Sequence, residues 1–156
     1  MKIEIKSLKT TFMSLSDKLR QNKDSKAQTN AEAGESFLKA NAGKPGIVEL
    51  PSGIQYEILT EGSGARPGPT SQVTCHYHGT LIDGTVFDSS VKRGAPATFP
   101  LNGVIKGWTE ALQLMPIGSK WRLFLPPAMA YGDRQVSAAI GPNSTLIFEV
   151  ELLGIK

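Results

Sequence analysis

Near its end the chain places Leu146, Phe148, Val150 and Leu152 in alternation with Ile147, Glu149, Glu151 and Leu153, one strongly apolar face at a period of two. A helix repeats every 3.6 residues and would scatter these side chains around its axis, so the pattern demands a long strand with one face in a core. Val73, Cys75 and Tyr77 alternate in the same way with Thr74, His76 and His78. Residues 121–125 read as a further strand, stopped by Pro126-Pro127 because proline offers no ladder donor. From Ile54 onward such stretches are short and separated by Gly and Pro, the pattern of an antiparallel sheet. One short helix interrupts them. Trp108, Ala111, Leu112 and Met115 fall at i, i+3, i+4 and i+7, Gly107 precedes them, and Pro116 and Gly118 close the segment. One helix among four or more antiparallel strands predicts an α+β domain with the sheet curved over the helix. With 156 residues the chain can bury one sizeable core, and no internal repeat is visible.

The first third is different. Ile5, Leu8, Phe12, Leu15 and Leu19 recur at steps of three and four, the spacing of a helical seam about two heptads long. A coiled coil needs three or four heptads, so a solvated tail fits these residues equally well. A second helix is marked by Thr29 and Glu32 as a capping box, by Ala33, Phe37 and Leu38 on one face, and by Gly43 and Pro45 at its end. This predicts an N-terminal extension over residues 1–46 and a main domain over 47–156.

Charge divides along the same line. Residues 1–46 hold nine Lys and Arg against five Asp and Glu, and residues 47–156 hold eight against nine. The main domain therefore lacks the basic footprint of a nucleic-acid binder. The extension has few clustered charges and no Trp anchor, a weak pattern for a membrane-surface tether. No apolar run approaches the roughly 18 residues of a membrane span, and Lys6, Lys9 and the neighbouring threonines break any signal-peptide core, so the expected location is cytoplasmic, or periplasmic if the native N-terminus is longer. Cys75 is the single cysteine, which removes disulfides within the chain and cysteine zinc cages.

Familiar catalytic constellations are missing. His76 and His78 share one strand face and Cys75 takes the other, with no third ligand in sequence reach, so no metal is expected. Asp88-Ser89-Ser90 lacks the G-x-S-x-G elbow that would hold a nucleophile, and reads as a loop satisfying its own backbone. No phosphate-cradling glycine pattern occurs. What remains is a set of aromatic and aliphatic residues near strand ends and loops: Tyr77, Phe87, Phe99, Val104, Ile105, Trp108, Tyr131 and Phe148. Any one of them alone is better read as core.

Their local sequences carry more. HYHGTLIDGTVFDSS (76–90), GVIKGWTEALQLMPIGSKWRLFLPP (103–127), AYG (130–132) and TLIFEVELLGI (145–155) follow one another in the order and spacing of the FK506-binding protein isomerases, which the chain resembles from about residue 50 to its end. The lead-in over 31–64 further resembles the bacterial subgroup with an N-terminal helical extension, typified by macrophage infectivity potentiator-like proteins.

The resemblance implies a twisted antiparallel half-barrel wrapped on one short helix, and peptidyl-prolyl cis-trans isomerase activity that assists protein folding without a cofactor. It implies FK506-type macrolides as inhibitors and proline-containing peptides and unfolded proteins as substrates. Trp108 would form the floor of a proline pocket, with Tyr77, Phe87, Phe99, Val104, Ile105 and Phe148 as its walls. Tyr131 would offer its hydroxyl, and Ile105 its backbone N–H, to substrate carbonyls, while Asp88 would sit at the pocket edge beside the twisting amide. The loop after Tyr131 departs from the pattern: where relatives often carry His, a second Ile and Pro-Pro, this chain reads Val136, Ala139 and Gly141-Pro142, although Ile140 is kept. The other function to weigh is a non-catalytic peptide-binding or chaperone module on the same fold. Such modules usually lose the pocket tyrosine, aspartate or tryptophan, and Tyr77, Asp88, Trp108 and Tyr131 are all retained. Longer extensions in relatives pair, so a weak homodimer through residues 1–46 is expected.

Overall fold

A computed structural model of the chain describes residues 15–156, with side chains from residue 25 onward. Seven strands form one antiparallel sheet: β1 (Ile47–Glu49), β2 (Gln55–Thr60), β3 (Gln72–Leu81), β4 (Val86–Ser89), β5 (Ala97–Pro100), β6 (Lys120–Leu125) and β7 (Leu146–Ile155). Their order is β1-β2-β6-β7-β3, and β3 gives its far edge to both β4 and β5. The long β3–β7 pair at the centre is built from the two alternating stretches, in a register that sets Tyr77 opposite Val150 and His76 opposite Glu151. Register shifts interrupt the β3–β7 ladder between Thr74 and Cys75 and the β3–β4 ladder between Gly79 and Thr80, and such irregularities bend a strand.

On the concave face Val73, Cys75, Tyr77, Trp121, Leu123 and Leu125 meet Leu146, Phe148, Val150 and Leu152, all buried. Closing over them is α3 (Lys106–Leu112), with Trp108, Ala111 and Leu112 turned inward. The predicted bounds of this helix need correction. Gly107 lies inside it, and Met115 packs in the core from the turn that follows, because Pro116 cannot extend a hydrogen-bonded ladder. One further helical turn, α2 (Ser90–Arg93), follows β4, started by the Ser89 hydroxyl accepting from the Lys92 N–H and ended by Gly94 at φ 75°.

The N-terminal segment departs most from expectation. A single helix α1 (Leu15–Ala42) runs 28 residues, about 42 Å, through Thr29, which the sequence marks as a helix start. No proline lies between residues 15 and 42, and Lys, Gln, Ala and Glu propagate a helix that has already begun. Glu32 accordingly accepts from Gln28 Nε2 at 3.2 Å, one helical turn away. Ala33 is exposed and does not share the docked face. Phe37 and Leu38 do, with Gly34 and Asn41 buried beside them. Of the predicted seam, Ile5, Leu8 and Phe12 lie outside the described residues, and Leu15 and Leu19 are described only as backbone of α1.

This helix docks on the convex face of the sheet. Phe124 points outward from β6 yet is only 4% exposed, because the Phe37 ring covers it at a centroid distance of 6.0 Å. Beside it Gln55, also buried, is satisfied by α1 and β1 together: Asn41 Nδ2 donates to its Oε1 at 2.8 Å, and its Nε2 donates to Leu38 O at 2.8 Å and to Glu49 Oε2 at 2.9 Å. Away from α1 the convex face is polar, with Arg122 between Glu57 at 3.3 Å and Glu149 at 2.7 Å.

Candidate functional site

Between the concave face, α3 and the loop after Tyr131 lies a cavity of about 870 Å³. All ten residues singled out from the sequence line it. The sheet supplies Tyr77, Phe87, Asp88, Phe99 and Phe148; the approach to α3 supplies Val104 and Ile105, α3 itself Trp108, and the two feet of the loop Tyr131 and Ile140.

The floor is an aromatic box. Trp108, 4% exposed, is met edge-on by Tyr77 at 5.4 Å, Phe99 at 5.6 Å and Phe148 at 5.3 Å, with interplanar angles of 81°, 86° and 84°. Phe87 stands edge-on to Phe148 at 5.4 Å. Edge-to-face contact sets the positive rim of one ring against the negative face of the next, so the walls lock at defined angles. Residue 79 must be glycine for this, since a Cβ there would come within 2.6 Å of the Phe87 ring and 3.0 Å of Phe148. The Trp108 indole N–H is buried and finds no acceptor among the described residues.

Polar groups stand at the edge. Tyr77 donates to Asp88 Oδ2 at 2.7 Å, Arg93 Nη2 donates to the Tyr77 hydroxyl at 2.8 Å, and Arg93 Nη1 pairs with Asp88 Oδ1. Partial burial pushes the Asp88 carboxyl up, but the Tyr77 and Arg93 hydrogen bonds and the guanidinium charge together outweigh it and hold the group below the usual carboxylate range. Burial and the Asp88 hydrogen bond push the Tyr77 phenol up, against the opposing pull of Arg93. Ile105 precedes the first turn of α3, its carbonyl accepting from Trp108 N–H at 3.0 Å and Thr109 N–H at 3.1 Å. Its own N–H has no acceptor among the described residues and stands at the cavity wall. The arrangement offers an apolar hollow for a compact ring and separate donors for carbonyl oxygens at its mouth.

Sequence reasoning missed Arg93. A lone arginine in a polar stretch reads as solvated, and only the turn of α2 folds it back across Tyr77, where the guanidinium carbon lies 5.6 Å from the ring centroid. Lys106, Asp133 and Arg134 on the rim were missed for the same reason. His76 and His78 are remote from the cavity: on the convex face their Nδ1 atoms pair with the Ser90 and Ser89 hydroxyls at 3.0 and 2.9 Å. Cys75 faces the core, and burial pushes its thiol up to about 12. Among the described residues no three His, Cys, Asp or Glu side chains are grouped to hold a metal. No described helix is long and apolar enough to cross a membrane.

Known proteins share this sequence and shape. Residues 64–153 match the family model of the FKBP-type peptidyl-prolyl cis-trans isomerases, and residues 1–58 that of the domain amino terminal to them. The chain is 59% identical to the outer membrane protein MIP of Legionella longbeachae over 131 residues, 84% of this chain and 56% of that protein. It is 56% identical to the FKBP-type 22 kDa peptidyl-prolyl cis-trans isomerase of Escherichia coli over 128 residues, 82% of this chain and 62% of that protein. It thus spans little more than half the length of these curated relatives. The crystal structure of FkpA from Escherichia coli superimposes with a TM-score of 0.87 at 35% identity, covering 99% of this chain and 71% of that one.

Proposed function

The chain belongs to the FKBP-type peptidyl-prolyl cis-trans isomerase family, and we propose that it catalyses rotation about X-Pro peptide bonds in unfolded and partly folded proteins. The observation that carries this reading is the convergence of Tyr77, Asp88, Ile105, Trp108, Tyr131 and Phe148 on one aromatic-floored cavity.

Rotation of an X-Pro bond breaks no covalent bond and exchanges no proton. Its barrier of about 18–20 kcal/mol is the loss of amide resonance, and the planar amide is more polar than the twisted one. A hollow lined by Trp108, Phe87, Phe99 and Phe148 solvates the planar amide poorly and so favours the twisted transition state. The proline ring sits on Trp108 between Tyr77 and Val104. The Ile105 N–H and the Tyr131 hydroxyl hold the flanking carbonyls, so the remainder of the amide turns within a fixed frame. Asp88 lies beside the turning bond, fixed by Tyr77 and Arg93. A lowering of about 5–8 kcal/mol, within the reach of these terms together, gives roughly 10⁴- to 10⁶-fold. Assistance to folding follows where a proline step limits a client. The compartment does not enter, since the chemistry is the same on either side of a membrane.

The test is a protease-coupled or NMR exchange assay on short X-Pro peptides. The expected result is acceleration that survives a chelator and is competed by an FK506-type macrolide. Tyr131→Phe, which removes one polar anchor, is expected to cost about three- to tenfold, and Trp108→Ala more, through loss of the floor. Macrolide binding without acceleration would instead make the protein a binding module.

A further inference from the structure

We infer that α1 is part of the substrate site at one remove: Asn30 is a positioning residue that fixes the rim loop 132–140 over the proline pocket. This rests on the isomerase reading for its kinetic consequence and on geometry alone for the coupling. The loop carries Val136 and Ser137 at the cavity mouth and ends on Ile140 in its wall. Its outgoing foot, Gly141 and Pro142, is buried, although it belongs to no strand or helix.

What buries and holds that foot includes the N-terminal helix. Asn30 Nδ2 donates to Pro142 O at 2.8 Å. Asn143, in the left-handed conformation at φ 56°, donates from Nδ2 to Ala27 O at 3.3 Å. Its backbone N–H donates to Gly132 O at 2.8 Å, tying the two feet of the loop together one residue beyond Tyr131. A side chain on residue 34 would overlap the buried Thr145 hydroxyl, which has no partner among the described residues, so Gly34 sets how closely the helix approaches. Gly141 lies against the same helix less tightly: a Cβ there would come within 2.9 Å of Lys26 Cε, the end of a flexible side chain, and 3.1 Å of Asn30 Nδ2.

The proline hollow and the rim are therefore held by different parts of the molecule. Sheet and α3 fix the aromatic floor, whereas the loop, turned on itself by Val136 N–H to Ile140 O and Ile140 N–H to Ser137 Oγ, is anchored at its outgoing foot by Ala27 and Asn30 of α1. The rim touches the substrate chain beside the proline in ground state and transition state alike, so loosening it weakens binding without slowing the rotation. Apparent affinity then falls in proportion to the fraction of molecules with the loop in place. Binding in turn steadies the helix, since coupling between two sites is reciprocal.

Asn30→Ala and Asn30→Asp, the second keeping the shape but losing the donor, are to be compared with the wild-type chain on a peptide extending at least two residues either side of the proline. The expected result for both is a KM raised about two- to tenfold, the scale of one hydrogen bond, with kcat within twofold. Amides of 132–141 exchange faster with deuterium in both variants while β3 and β7 do not change. In the wild type a macrolide in the pocket slows exchange of helix amides near residue 30, and in Asn30→Ala this response is lost. Unchanged KM and loop exchange in both variants overturns the inference, as does a loss of kcat that tracks global unfolding. If the wild-type chain shows no isomerisation, the functional reading fails, and loop exchange in the unliganded variants still decides the coupling.

Discussion

Asp88 takes hydrogen bonds from Tyr77 and Arg93 while remaining half-exposed, and this combination sets how the site responds to pH. Its carboxyl titrates below the usual range and the Tyr77 phenol above its own. The lowered acid contributes stability that is fully present above its unfolded pKa and disappears as pH falls through the folded one. The raised phenol contributes stability that is present below its unfolded pKa and disappears as pH rises through the folded one. Between these limits the trio keeps one protonation state, and the contribution of the half-exposed pair is screened and small. The cavity lining contains no histidine, cysteine or glutamate, so kcat/KM is expected to stay flat between about pH 6 and pH 8. A bell with a limb near neutrality would contradict a mechanism free of proton transfer. Arg93→Ala, measured at neutral pH, is expected to lower activity a few fold by freeing Asp88 and Tyr77, and to leave the profile flat.

At the scale of elements, α1 is an integral layer over the convex face. Phe37 covers Phe124, and Asn41 with Leu38 O satisfies the buried Gln55. Phe37→Ala is expected to lower stability by about 1–2 kcal/mol, less than a fully buried phenylalanine because the ring is half-buried. An unchanged denaturant midpoint would show the helix to be a free arm. Phe37 and Leu38 could be read from the sequence as one helix face, but not what that face covers, and the reason is physical. β3 and β7 could be read because one face of each is apolar and the other polar, so period and burial coincide. On β6, by contrast, Phe124 breaks the alternation, since its outward face is buried too. Thr29 and Glu32 resemble a start signal, but a capping box starts a helix only where the residues before it are not already helical. The pocket residues were legible through family resemblance and through aromatic content. Arg93, Gln55 and the Asn30 contact depend on tertiary approach that no local pattern encodes.

The whole molecule raises the question of what residues 1–14 add to a chain whose helix, from Lys26 to Asn41, is already committed to its own sheet and loop. We propose that the seam of Ile5, Leu8, Phe12, Leu15 and Leu19, at helical spacing in the sequence, pairs with that of a second copy and holds two pockets around one unfolded client. Two heptads bury little area, so the dimer is expected to be weak and dependent on concentration. Its benefit would be a higher effective concentration for rebinding, which matters for a long client and not for a short peptide. Where the chain is cut therefore decides what is learned. Removing residues 1–14 deletes most of the seam and spares Ala27, Asn30 and Gly34; short-peptide turnover is expected to stay unchanged, while catalysis of proline-limited refolding of a whole protein slows. Removing residues 1–28 also deletes Lys26 and Ala27, so KM on the short peptide should rise as well. Light scattering over a concentration series completes the comparison. Monomeric scattering throughout, with equal refolding rates for the full chain and the chain lacking 1–14, would defeat the pairing.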